Sequence, residues 1–208
     1  MNLRNYWSVF ESALPTRICD HIIEFGEMHT TQTALTGGID QVPNNEKDLF
    51  QLHNVRNSSI AWLNEPWILR EINPYINEAN NQSNWNFELM NTEQFQFTKY
   101  RESQHYTWHR DSFPAPFHEP RNSNDGLVRK ISVTVSLSDG EDYDGGDFEI
   151  DLRDGLNQEQ VNNIVTLNDA RKKGSIIVFP SFVWHRVKPV TSGTRYSLVI
   201  WCTGLPFK

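Results

Sequence analysis

At 208 residues the chain has the length of one ordinary domain, large enough to bury a core. Hydrophobic residues at 38% and aromatics at 12% exclude a disordered chain, and a net charge of −7 argues against gripping a nucleic-acid backbone, which needs clustered Lys and Arg. No apolar run approaches the roughly 18 residues that span a bilayer, and the start MNLRNYWSVFESALP lacks the apolar core of a signal peptide. These features predict a cytoplasmic protein, from a bacterium or from a phage in its host's cytoplasm. Cys19 and Cys202 lie near opposite ends and form no CxxC pair, so two reduced, buried thiols are expected.

Residues 1–83 read as mainly helical. In ESALPTRICDHIIEFGEMH (11–29), Leu14, Ile18, Ile22 and Phe25 recur at helical steps, with Ser12 as a cap and Pro15 in the first turn. In SIAWLNEPWILREINPYINEAN (59–80), Trp62, Leu63, Trp67, Leu69, Ile72 and Ile76 give a second stripe, started or kinked by Pro66 and Pro74. The turn-rich stretch between them, TALTGGIDQVPNNEKD (33–48), predicts a surface loop.

From residue 84 the texture changes to short strands. NWNFEL, EQFQFTKY, KISVTVSLS, GGDFEIDL, GSIIVFP, VWHRVKPV and RYSLVIWC carry β-branched and aromatic residues between Gly- and Asp-rich turns. Helices followed by an all-β body predict an α+β fold, with a sandwich, jelly roll or small barrel over 84–204. We treat 1–208 as a single domain. The acidic run DGEDYDGGDFEID lacks calcium-loop spacing and reads as a solvated loop, with Gly145 and Gly146 at a bulge or tight turn.

Chemistry concentrates in HYTWHRDSF (105–113). On an extended backbone residues i and i+2 share a face, so His109 and Asp111 point one way and Arg110 the other. His185, 76 residues on, supplies a candidate third ligand. Two histidines and one carboxylate with open positions form the facial triad of non-haem Fe(II) oxygenases. With seven histidines in the chain, that spacing also arises by chance. Arg195, on the next strand and sharing a face with Ser197, could fork onto a carboxylate; taken alone it reads rather as an ordinary exposed arginine at a strand start. Trp108 and Trp201 read as packing residues. Tyr106 and Arg129 are candidates to face a substrate, with Arg129 also readable as a solvated strand start. His105 is a weak candidate for supporting the site, and His21, His29, His53 and His118 receive no metal role.

The order of five elements resembles the Fe(II)- and 2-oxoglutarate-dependent dioxygenases, in their prolyl 4-hydroxylase-like branch. These are YRESQHYTWHRD, RKISVTVSLSDGEDYDGGDFEI, KKGSIIVFPSFVWHRV, Arg195 with Trp201 six residues later, and VRNSSIAWL (55–63) as an Arg-x-Ser element leading into a helix. The resemblance covers roughly 52–202 and implies a double-stranded β-helix (jelly roll) core with N-terminal supporting helices. It implies His109, Asp111 and His185 as Fe(II) ligands, Arg195 on the distal carboxylate of 2-oxoglutarate, and Tyr100 and Ser197 beside it. The implied reaction decarboxylates 2-oxoglutarate to succinate, consumes O₂ and hydroxylates an unactivated C–H, with ascorbate as a candidate reductant. A prolyl residue of a protein or peptide is the expected substrate, with a free amino acid or other small metabolite as the alternative. A non-catalytic jelly-roll binding module is the competing class, against which the intact His109, Asp111, His185 and Arg195 stand. A nucleic-acid repair relative would want a second arginine where Trp201 stands. No nucleic-acid or membrane partner is expected, and the chain is expected as monomer or homodimer. The loops 30–50 and 112–127 are candidate lids.

Overall fold

The computed structural model describes residues 5–29, 32–35, 45–152 and 163–207. In chain order the strands are β1 (Ser8–Phe10), β2 (Gln32–Thr33), β3 (Arg56–Asn57), β4 (Ser59–Leu63), β5 (Asn91–Thr92), β6 (Phe95–Tyr100), β7 (His105–His109) and β8 (Val128–Ser136). They continue with β9 (Tyr143–Gly145), β10 (Phe148–Asp151), β11 (Ile164–Thr166), β12 (Ile176–Pro180), β13 (Trp184–Val187), β14 (Val190–Gly193) and β15 (Arg195–Gly204). The helices are α1 (Thr16–Met28), α2 (Glu46–Val55) and α3 (Pro66–Gln82).

Two antiparallel sheets form a jelly roll. The larger runs β1-β12-β8-β15-β6-β4-β2, with β5 also on β15; the smaller runs β11-β10-β13-β7-β3. Helices α1 and α3 cover the outer face of the larger sheet, where Cys19, Ile22, Ile68, Ile72 and Ile76 pack on Phe97, Val133, Ile176 and Leu198. Gly26 lets α1 lie this close, since a Cβ there would meet the Phe97 ring at 2.5 Å. A second apolar cluster, including Phe148, Ile150, Phe179 and Val187, fills the space between the sheets beside the site. No helix among the described residues is long and apolar enough to cross a membrane.

Several expectations need correction. SIAWL is strand β4, not helix: it pairs with β6 from Ser59↔Lys99 to Leu63↔Phe95, and the helix begins at Pro66. Five residues of helical spacing cannot outweigh a full ladder of sheet hydrogen bonds. NWNFEL is not a strand, because Asn84 and Asn86 take left-handed backbone and the Asn80 side chain grips Phe87 through both its N–H and C=O. Ser12 does not cap α1; Pro15 precedes its first residue and no side chain caps it. Part of the expected 33–48 loop is the start of α2, where the Asn45 side chain accepts a hydrogen bond from the Asp48 N–H; residues 36–44 lie outside the described residues. The acidic run is only partly solvated: Glu149 is buried and paired with Arg186 at 2.6 Å, and Asp147 pairs with Arg171 and Lys188. Of the bulge or tight turn expected at Gly145 and Gly146, the structure shows the irregularity: Gly145 ends β9 where its register with β14 shifts, both glycines are at positive φ, and the Gly146 N–H donates to the Pro189 carbonyl. Cys19 and Cys202 are free and buried, and burial pushes their thiols up to about 11 and 12.

Candidate metal centre and its cavity

His109 closes strand β7, and its neighbour β13 brings His185 directly opposite it in register. Asp111 follows just beyond β7, where its backbone N–H donates to the Ser181 carbonyl at 3.0 Å. The ligand atoms of His109, Asp111 and His185 lie within 4.8 Å of one another. Each Asp111 oxygen faces one imidazole: Oδ1 stands 3.7 Å from His109 Nε2, and Oδ2 stands 3.6 Å from His185 Nε2. These gaps are too long for hydrogen bonds. Two buried groups, Asp111 and His185, and the partly buried His109 thus converge without satisfying one another, which suits a shared cation.

The far side of each imidazole is tied down. His109 Nδ1 lies 2.8 Å from the Thr107 carbonyl, and His185 Nδ1 lies 3.0 Å from the Val183 carbonyl. A carbonyl only accepts, so each Nδ1 carries the proton and each Nε2 presents its lone pair inward. Burial, reinforced by the neighbouring His185, holds His109 well below the usual range, at about 3. Burial works to raise the Asp111 carboxyl, but His185, His109 and Arg129 outweigh it and bring Asp111 to about 2. At neutral pH the centre therefore offers an uncharged His109 imidazole and an ionised carboxylate, the protonation states a metal requires.

Those shifts predict acid sensitivity of the metal-free protein. A histidine with a folded value near 3 against 6.5 otherwise leaves the unfolded chain binding more protons between those limits. Stability from His109 is complete above about pH 6.5 and drains as pH falls toward 3; the Asp111 contribution follows below about 3.8. At pH 5 the His109 part amounts to about 2 kcal/mol. Urea unfolding of chelator-treated protein at pH 7 and pH 5 measures it, and His109→Gln flattens the dependence. An equal pH slope in that variant refutes the assignment.

The triad opens on a cavity of about 770 Å³ between the sheets, a size that suits small-molecule ligands. Tyr100, Arg195 and Ser197 line it from the larger sheet, and Tyr100 and Arg195 are cross-strand partners. Arg195 is 3% exposed; its Nη1 donates to Ser197 Oγ at 3.2 Å and its guanidinium lies 5.5 Å from the Tyr100 ring centroid. No carboxylate pairs with it among the described residues. A buried guanidinium without a counter-charge is costly, so this wall fits an incoming carboxylate.

Tyr106 stacks on the His109 ring with centroids 3.4 Å apart, and burial raises its hydroxyl to about 12. Arg129 is held by Glu93 through two bonds of 2.6 and 2.7 Å and lies 3.9 Å over the Trp201 ring. It is neither solvated nor free. Trp201 lines the cavity, and its Nε1 is a buried side-chain polar atom with no hydrogen-bond partner among the described residues. His105 sits away from the triad, near the carbonyls of Ser103 and Asn54. Of the candidate lids, Phe113 in the 112–127 loop and Gln32, Thr33 and Leu35 in the 30–50 stretch reach the cavity.

Sequence reasoning gave no cavity role to Arg56, Trp62 or Phe113, all of which line it. Arg56 stood only within an Arg-x-Ser element. Alternation across SIAWL was the available sign that Trp62 faces opposite to the buried Ala61 and Leu63; nothing in the sequence singled out Phe113.

A family model described as the 2OG-Fe(II) oxygenase superfamily matches residues 95–203, just over half of the chain. The chain belongs to this family. The family implies Fe(II), 2-oxoglutarate and O₂, and the donor set described above fits them. Among named relatives, a PKHD-type hydroxylase of Pseudoalteromonas atlantica is 33% identical over 109 residues, covering 52% of this chain and 42% of the relative. One of Alteromonas mediterranea is 37% identical over 105 residues, covering 50% and 41%. The chain thus spans about two fifths of the length of these curated relatives. Solved structures extend the likeness of fold to nearly the whole chain. A viral collagen prolyl hydroxylase from Paramecium Bursaria Chlorella virus-1 superposes with a TM-score of 0.63 at 18% identity, covering 97% of this chain and 98% of that one. A Pseudomonas putida prolyl-4-hydroxylase gives 0.63 at 20% identity, covering 97% and 94%.

Proposed function

We propose that this oxygenase couples oxidative decarboxylation of 2-oxoglutarate to hydroxylation of an unactivated C–H. One 2-oxoglutarate, one O₂ and one C–H yield succinate, CO₂ and one C–OH. The carrying observation is a largely buried His-Asp-His cluster in one cavity with a buried arginine that lacks a carboxylate partner among the described residues.

In this reading His109, Asp111 and His185 hold Fe(II), which supplies O₂ activation when bound. Arg195 binds the distal carboxylate of 2-oxoglutarate, with Ser197 and Tyr100 beside it. The protein's own work is to orient: main-chain carbonyls fix both imidazoles, Tyr106 stacks on one of them, and apolar walls limit water. Ascorbate would keep the metal reduced.

A prolyl residue of a peptide is the first substrate to test. Support comes from solved structures of similar fold, one of them a Trichoplax adhaerens prolyl hydroxylase in complex with a hypoxia inducible factor peptide fragment. The decisive experiment supplies Fe(II), 2-oxoglutarate and air and measures succinate, then searches a lysate for products heavier by one oxygen. Succinate above the metal-free background supports the reading; its absence, in protein that binds neither Fe(II) nor 2-oxoglutarate, sinks it.

A further inference from the structure

The cavity wall is basic in a chain of net charge −7. Arg56, Arg110, Arg129 and Arg195 line it against one carboxylate, Asp111. Glu93 neutralises Arg129. Arg195 is assigned above to the co-substrate, and Arg110 is exposed to solvent. Arg56 remains.

Arg56 lies in β3, opposite Tyr106 of β7, and is 5% exposed. Its Nε donates to Ser58 Oγ at 3.2 Å, and its guanidinium sits 4.5 Å over the Tyr106 ring, whose other neighbour in the stack is His109. No carboxylate pairs with it among the described residues. One hydroxyl and one ring face do not neutralise a buried guanidinium. The bond through Nε leaves Nη1 and Nη2 for an end-on pair with a carboxylate.

We propose that Arg56 binds a carboxylate of the substrate that is hydroxylated. This rests on the hydroxylase reading and deepens it: the substrate is an acid, and its acid group sits one aromatic ring from a metal-binding histidine. Even with Asp111 and 2-oxoglutarate present, the positive charges of the metal, Arg195 and Arg56 outnumber the negative ones. A substrate monocarboxylate restores balance. A prolyl residue inside a neutral peptide cannot do this, since it offers an amide where the acid is wanted. The carboxylate belongs either to a small free acid or to an acidic residue beside the reacting one.

The test is calorimetric titration of the full chain loaded with Fe(II) and 2-oxoglutarate without oxygen. The probes are N-acetyl amino acids as free acids, the same compounds as amides, and amidated peptides with Asp or Glu beside proline. At least one acid should bind about tenfold or more tightly than its neutral counterpart. Arg56→Gln should erase that preference while 2-oxoglutarate binds as before, and Arg56→Lys should keep part of it. Preference among the free acids identifies a small substrate; preference among the acidic peptides identifies a peptide. The proposal is overturned if no acid outbinds its neutral counterpart in the unaltered protein, a comparison that needs no variant. It also falls if Arg56→Gln keeps the preference or weakens 2-oxoglutarate instead. Failure of the hydroxylase reading is separate, since the unaltered protein would then not take up metal and 2-oxoglutarate at all.

Discussion

Replacing Asp111 with Asn is expected to weaken Fe(II) binding by more than about a hundredfold and to bring succinate formation to background. Loss of a group that merely supports a ligand already costs about 10- to 100-fold, and Asp111 would be a ligand itself. It is also the one carboxylate lining the described cavity. Its carboxyl, lowered to about 2, is ionised at any working pH, so the substitution removes a full negative charge between the two imidazoles. Asparagine keeps the size and a polar contact toward Ser132, so the fold should persist. Anaerobic Fe(II) titration with a thermal melt separates the two effects. A variant that melts normally and binds iron as before would place the metal elsewhere.

Arg195→Met should raise the 2-oxoglutarate requirement by about two to three orders of magnitude, leaving Fe(II) affinity near that of the parent. Breaking a buried, hydrogen-bonded charge pair costs about 2–5 kcal/mol, and each 1.4 kcal/mol is tenfold. Methionine fills much of the same volume and removes an unpaired buried charge, so the ligand-free melting temperature should not fall. That separates a binding role from a structural one, which would lower the melt and leave the requirement unchanged. An unaltered requirement would move the carboxylate anchor to another group.

The candidate site was more legible in the sequence than the fold around it. His109, Asp111 and His185 could be picked out because an extended strand enforces alternation and few side-chain sets suit ferrous iron. Their convergence depends on β7 and β13 becoming neighbours, a pairing across 76 residues that no local pattern announces. Short segments were harder. Ser59–Leu63 joins the larger sheet only because Phe95–Tyr100 lies alongside, and a stretch of that length carries no decisive period of its own. Residues 84–89 have strand-like composition, yet two left-handed asparagines and the Asn80 side chain set the path. Arg56 was hardest, because arginine is usually outside and only tertiary structure shows one sealed against a tyrosine.

Both imidazoles are anchored from behind by peptide carbonyls two residues earlier in the chain, at Thr107 and Val183. In the proposed function the orientation of both imidazoles toward the metal would therefore be set by main-chain geometry, and exchanging Trp62 or Phe113 is expected to leave it in place. In that function, such a scaffold would keep the metal-holding framework apart from the side chains that select what is oxidised.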